Sequence, residues 1–351
     1  MVRLKVGVAM SGGVDSTMAA LLAQEQGCIV HGFFMLLPLP DLDVQLVRVR
    51  QAAEQLAVPL TVVDLRRHFT DEIIAYFIAA YRTGLTPNPC ILCNHVIKFA
   101  LLAGAMRTHG MERIATGHYA RIGQCGDRSF VARGMDRSKD QSYFLARLDA
   151  DQIRHVFFPL GDWTKERIRA RAVDMGFQFE GQESQDVCFL AAGLPAFLAG
   201  QGVGEQAGDV VTRDGRRIGE HQGMWRYTIG QRRGLGLPDG TPWYVLALDS
   251  ANNRVIVGKH DELFADRCTV HALRWMHELP SLPWRGLVQL RSRHQPVLAE
   301  LTLAATGVWR LAFANPQRAV TPGQFAVFYE DDLVLGSGVI TADIDGRSRE
   351  P

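Results

Sequence analysis

The chain has 351 residues, 47% apolar and 21% charged, so it can bury ample core and is too long for one compact domain. Lys and Arg number 38 against 37 Asp and Glu, and the resulting net charge of +1 argues neither for nor against a nucleic-acid partner. No apolar run approaches a membrane span and no secretory layout is evident, which points to the cytoplasm; six cysteines at this length exclude a disulfide framework and suit redox or metal chemistry. Taken in chain order, residues 6–10 are predicted as a strand, followed by Ser11-Gly12-Gly13-Val14-Asp15-Ser16 and a helix from about Thr17. Adjacent glycines let a backbone turn tightly and aim bare N–H groups at an anion, with a helix dipole behind them, so this is a phosphate loop. It has no lysine after the glycines and lacks the dinucleotide spacing. The pattern next predicts strands over 29–35 and 60–65, helices over 44–56, 70–81 and 95–106, and a strand over 113–116. That alternation is a parallel α/β sheet, with ligands expected beyond the strand ends where Ser11 to Ser16, Met35, Gly117 and His118 converge. From about Gly208 short strands and turn signals take over, and a shift near 264–268 splits this β portion. The expected domains are 1–200, 201–263 and 264–351.

Three cysteines invite chemistry. Pro87-Asn88-Pro89-Cys90-Ile91-Leu92-Cys93-Asn94 places two thiols at the start of a helix, where the dipole favours a thiolate. One C-x-x-C fits a nucleophile, a metal ligand or a redox pair, and the lack of a second pair argues against a zinc ribbon. Cys188, in Glu183-Ser184-Gln185-Asp186-Val187-Cys188-Phe189, reads as a third such thiol or as a small buried hydrophobe. Arg213, Arg216, Arg217, Arg226, Arg232 and Arg233, with Trp225 and Tyr227 between them, form a cluster suited to RNA phosphates and base stacking, or to a solvated face. Cys28, Cys125 and Cys268 look structural.

The loop resembles the signature of the PP-loop ATP pyrophosphatases, which split ATP between its α- and β-phosphates. Further motifs follow in one order: Asn88-Pro89-x-x-x-Cys93-Asn94, Ala115-Thr116-Gly117-His118-Tyr119, Lys139-Asp140-Gln141-Ser142-Tyr143-Phe144, Ser184-Gln185-x-x-Cys188-Phe189, Gly219-Glu220-His221-x-Gly223, residues 227–236 and Thr321-Pro322-Gly323-Gln324. Together they resemble the tRNA-specific 2-thiouridylases of bacteria and mitochondria, from about Lys5 to Ile340. The resemblance implies a PP-loop domain, a small β-rich middle domain that binds tRNA and a terminal β-barrel. It implies ATP-dependent adenylation of the wobble uridine, residue 34, in tRNAs for lysine, glutamate and glutamine, then sulfur transfer to C2. Cys188 matches the persulfide carrier and Cys93 its disulfide-forming partner. Ala9, Met10, Ser11, Gly12, Gly13, Val14, Asp15, Ser16, Met35 and Gly117 match ATP-binding positions, and Asn88, Pro89 and Cys90 the target-base stretch. His118, Lys139, Asp140, Gln141, Arg293, His294 and Gln324 match tRNA contacts. Mg²⁺ accompanies ATP, with Asp15 orienting it or a loop hydroxyl, or serving as a turn residue. Sulfur comes from a cysteine desulfurase or sulfur-relay protein. Two departures stand out: Cys90 replaces an aspartate of several members, and His294 a usual tyrosine. Cys90, Cys93 and Cys188 also make a composition suited to a [4Fe–4S] cluster, an alternative sulfur route. Another PP-loop tRNA- or nucleotide-modifying ligase would share the loop but would not need Cys93 and Cys188.

Overall fold

A computed structural model describes residues 3–177, 187–190, 193–237 and 240–341. Seven strands occupy the first part of the chain: β1 (Lys5–Ala9), β2 (Ile29–Leu36), β3 (Leu60–Asp64), β4 (Arg113–Ala115), β5 (Ala120–Cys125), β6 (Arg128–Arg133) and β7 (Val156–Phe157). Five form a parallel sheet in the order β3-β2-β1-β4-β7. Strand order reverses between β1 and β4, so a crevice opens where both strands end. Sequence reading missed β7, whose two residues are too few to show a period.

Helix α1 (Val14–Glu25) follows β1 and is buried without a break from Ser16 to Ala23. Such an all-round apolar helix lies inside the molecule, and its small alanines admit close packing. It starts three residues before the expected Thr17, which makes Val14 to Ser16 its first turn. Helix α2 (Leu42–Gln55) buries Val49, Ala52 and Ala53 against the sheet. A longer helix runs from Pro89 to Thr108, starting well before the expected 95. Pro89 sits in its first turn, where the missing proline N–H costs nothing, and Asn88 precedes it with extended backbone. This helix is long and apolar enough to cross a bilayer, contrary to the expectation that no segment approaches that. Ile91, Ile97, Phe99, Leu102, Ala103 and Met106 are nonetheless buried in the protein core, so it is a core helix.

Strands β8 (Gly208–Thr212), β9 (Arg217–His221), β10 (Tyr244–Asp249) and β11 (Arg254–Gly258) form a second sheet, ordered β10-β11-β8-β9. Strands β12 (Phe264–Trp275), β13 (Trp284–Gln289), β14 (Val297–Ala305), β15 (Val308–Arg318), β16 (Phe325–Glu330) and β17 (Leu333–Thr341) run β12-β15-β14-β13-β16-β17, and β12 pairs again with β17. That second pairing closes a six-stranded barrel and removes its edges.

The barrel is bolted to the parallel-sheet domain. The β5–β6 hairpin meets β17 through the Ala132–Leu333 pair, and Arg133 N donates to Asp332 O at 3.0 Å. Phe33, Phe77, Ile97 and Tyr143 share one core with Phe325, Val327, Tyr329 and Val334 of the barrel. Tyr143 Oη donates to Phe325 O at 3.0 Å, and Thr86 N to Pro322 O at 3.0 Å. Much of two motifs, Ser142-Tyr143 and Thr321 to Gln324, therefore serves to join domains.

Candidate active site

The phosphate loop braces itself. Ser16 Oγ accepts from Ser11 N at 3.0 Å, stands 3.1 Å from Ser11 Oγ and donates to Gly13 O. Gly12 has φ of +77°, and a Cβ there would meet Val49 N of α2 at 2.8 Å, so only glycine fits. Gly117, just past β4, is equally constrained: its Cβ would lie 2.7 Å from the Asp15 carbonyl carbon. Asp15 is held from two sides. Lys165 Nζ reaches its carboxylate oxygens at 2.7 and 2.8 Å, and Tyr119 Oη donates to it at 2.9 Å.

Lys165 escaped sequence reading. It opens a helix, Lys165–Asp174, capped by the Thr164 hydroxyl, and its backbone N–H donates to Asp136 at 3.0 Å. The only sequence signal was the Thr164 cap, since nothing in the spacing links Lys165 to a loop 150 residues away. The side chain of Lys165 is 6% exposed and that of Asp15 is 35% exposed. An ammonium therefore stands beside the phosphate loop despite the loop having no lysine.

One cavity of about 1220 Å³ gathers most of the expected residues. Ser11 and Gly13 to Ser16 line one part, and Asn88, Pro89, Cys90, Cys93 and Cys188 another. His118, Lys139, Asp140, Gln141, Arg293 and His294 line it too, with Lys98 and Lys165. Ala9, Met10, Gly12, Met35, Gly117 and Gln324 do not. Met10 is core, packed on Gly32. Gln324 donates its amide to Thr86 O at 2.8 Å, bracing the loop that leads to Asn88 rather than facing the cavity.

Asp140 is occupied by its own fold: it accepts from Arg133 at 2.9 Å, Gly134 N at 2.9 Å, and Ser142 N and Oγ at 3.1 and 2.9 Å. Gln141 is bonded through side chain and backbone to Tyr119. His118 is buried, its Nδ1 lies 2.7 Å from Thr116 Oγ1, and burial together with Lys98 holds its pKa well below the usual value. It is a neutral imidazole.

The thiols depart from expectation. Cys93 lies in the second turn of its helix, where the dipole has faded, and the helix widens there to i→i+5 bonding over Cys93–Leu102. Burial pushes its thiol up to about 12 and Cys90 to about 11, and raises Cys188. Lys98 is the cation that pulls all three down. All three cysteines are free thiols. Among the described residues no group of three His, Cys, Asp or Glu side chains is gathered closely enough to hold a metal ion. Cys93 feels the charge of Cys90 and Cys188, and Cys90 that of Cys188, but the trio does not form such a group as it stands. Asp15 lines the cavity with its carboxylate bonded to Lys165 and Tyr119, and its side chain is 35% exposed. Ser184 and Gln185 lie outside the described residues.

The arginine cluster is thinner than its sequence suggested. Arg217 pairs with Asp209 and Glu220, Arg226 with Glu205, and Arg213 with Glu262. Arg216, Arg232 and Arg233 are exposed; Arg216 feels the Asp214 carboxylate, whereas Arg232 and Arg233 have no ion-pair partner among the described residues. Trp225 and Tyr227, expected to stack on bases, are buried.

Three family models match in series: a tRNA methyl transferase HUP domain over residues 4–192, a tRNA methyl transferase PRC-barrel domain over 196–259 and an aminomethyltransferase beta-barrel domain over 265–340. The tRNA-specific 2-thiouridylase MnmA of Desulfotalea psychrophila is 44% identical over 348 residues, covering 97% of this chain and all of that protein. Those of Syntrophotalea carbinolica and Chloroflexus aggregans are each 41% identical, covering 95% of this chain and 97% of their own length.

Proposed function

This chain belongs to the tRNA-specific 2-thiouridylase family, and from that premise we propose that it is an ATP-dependent tRNA sulfurtransferase that makes 2-thiouridine. The family models carry the word methyl transferase, but a lysine-free phosphate loop and thiols around one cavity suit ATP cleavage and sulfur transfer. That shared cavity is the observation carrying the reading.

Uridine O2 attacks the α-phosphorus of ATP, the O2–P bond forms and pyrophosphate leaves. Backbone N–H groups of the loop and the Lys165 ammonium take up the phosphate charge. C2 is now open to a nucleophile because the departing oxygen leaves with AMP. The terminal sulfur of a Cys188 persulfide attacks C2, and the C2–O2 bond breaks. Cys93 then attacks Cys188 Sγ, the S–S bond to the transferred sulfur breaks, and a Cys93–Cys188 disulfide remains for an external dithiol to reduce. Lys98 favours the thiolate forms against the burial that opposes them. Cys90, buried beside them, keeps its proton and is a weak acid rather than the carboxylate other members use.

Asn88 and Pro89 frame the target base, and Lys139, Arg293, His294 and Gln141 offer RNA contacts at the cavity wall. Asp140 and Gln324 act through the residues they brace. Met35 and Gly117 contribute to the adenine side of the loop by backbone placement. The finer reading takes position 34 of tRNAs for lysine, glutamate and glutamine as substrate. It takes a cysteine desulfurase or relay protein as donor, magnesium arriving with the ATP phosphates, the cytoplasm as location, and domain limits at 200/201 and 263/264.

The test is a reaction of persulfide-loaded enzyme with ATP and tRNA transcript, followed by nucleoside mass spectrometry. AMP, pyrophosphate and 2-thiouridine in equal amounts are expected. ADP and phosphate, or unchanged uridine, would refute the proposal.

A further inference from the structure

The Gly219-Glu220-His221-x-Gly223 motif has no part in the thiol cavity. It lies at the end of β9, where a second pocket of about 440 Å³ opens between the middle sheet and the helix Gly193–Gly200. Leu194 and Pro195 form one wall, and His221, Trp225, Tyr227 and Gln231 the other. The size is within the range of small-ligand sites.

His221 is 1% exposed. Its Nε2 lies 3.2 Å from the Asn253 carbonyl oxygen, which can only accept, so Nε2 holds the proton and Nδ1 is an acceptor. Nδ1 is buried and has no partner among the described residues. An unpaired buried acceptor is costly, and natural folds rarely leave one without a use. The surrounding backbone is shaped to hold these rings. A Cβ at Gly208 would come 2.7 Å from His221 Nε2, and one at Gly223 would come 2.6 Å from Trp225 Nε1. Tyr227 packs its ring against His221 at 5.9 Å.

An acceptor set among aromatic rings calls for a flat ligand that brings an N–H or O–H. Arg232 and Arg233 lie in the chain between Gln231 and Gly234 of the lining, exposed and without an acidic partner among the described residues. They supply charge for phosphates beside such a ligand. Single-stranded or unstacked RNA offers all of these features.

We propose that this pocket takes one unstacked nucleotide of the substrate tRNA, whose base N–H or ribose 2′-OH donates to His221 Nδ1 while flanking phosphates meet Arg232 and Arg233. This rests on the tRNA reading above and extends it to a contact remote from the reacting base.

The experiment uses the full chain and a tRNA transcript, comparing wild type with His221→Phe and His221→Gln. Phenylalanine keeps a ring and removes the acceptor, whereas glutamine returns an oxygen. His221→Phe is expected to weaken tRNA binding about tenfold with an unchanged slope of log affinity against log salt, and His221→Gln to stay within about threefold of wild type. Probing of 2′-OH reactivity on the bound tRNA is expected to show one nucleotide protected by wild type and exposed by His221→Phe. This readout holds even where a variant is less stable, because it is taken on the complex. Equal affinity and identical protection in wild type and His221→Phe would overturn the pocket while leaving thiolation intact. A second equivalent of ATP bound by wild type and lost in His221→Phe would overturn the tRNA occupant in favour of a free nucleotide. Failure of the wild-type enzyme to bind or thiolate tRNA would overturn the functional reading itself.

Discussion

Replacing Lys165 or Asp15 tests how the phosphate loop obtains its cation. The pair has two short contacts, 2.7 and 2.8 Å, but the partners differ in their access to water. Lys165→Met leaves a carboxylate that is 35% exposed and still accepts from Tyr119, so it can hydrate in part. Asp15→Asn takes the charge from the carboxylate facing an ammonium that is only 6% exposed. Breaking a fully buried pair costs about 3–5 kcal/mol and an exposed one about 0–1 kcal/mol. Lys165→Met should therefore cost about 2 kcal/mol and Asp15→Asn about 3 kcal/mol. In a unit near 200 residues, about 2–4 °C of melting temperature accompanies each kcal/mol. The expected falls are about 4–8 °C and 6–12 °C. The double variant should recover part of the loss, with a coupling of about 1–2 kcal/mol. Thermal unfolding of the four proteins without ATP measures the cycle, and the protection conferred by saturating ATP measures the phosphate contact. Lys165→Met should lose most of that protection. Additive melting shifts, or a Lys165→Met protein protected by ATP as well as wild type, would refute the argument.

Three other outcomes are expected. Cys93→Ser and Cys188→Ser should each abolish 2-thiouridine formation while tRNA affinity changes less than twofold, measured by filter binding; turnover near wild type in Cys188→Ser would remove its carrier role. Because burial holds Cys93 near 12, its thiolate fraction grows about tenfold per pH unit below that value, so a turnover limited by attack of Cys93 should climb from pH 7 to 9. Lys98→Met should lower the rate across that range, whereas a flat single-turnover profile would show that the thiols are not limiting. Alanine at Arg216, Arg232 and Arg233 should each remove roughly 0.7–0.9 from the salt slope of tRNA binding, while Arg217→Ala and Arg226→Ala, whose charges are already paired, should leave it nearly unchanged.

Local sequence determined the parts whose physics is local. The phosphate loop was legible because two glycines, two serines and the flanking strand and helix lie together between Lys5 and Glu25, and the structure adds the steric reason for Gly12 and the hydrogen bonds between Ser11 and Ser16. Strand alternation was legible for the same reason, and family resemblance supplied the reaction. What tertiary structure decided was every pairing across long separation. Lys165 meets Asp15 across 150 residues, Gln324 meets Thr86 across 238, and neither leaves a mark in spacing. Trp225 and Tyr227 read as stacking surfaces because aromatic composition does not reveal which side is solvent; only tertiary packing buries them, Trp225 in the core shared with the parallel-sheet domain and Tyr227 in that of the middle sheet. The dipole argument for Cys93 failed because Pro89, rather than a residue near 95, begins the helix, which places the thiol a turn inward where desolvation outweighs the dipole. Charge state depends on burial, and burial is a property of the whole fold.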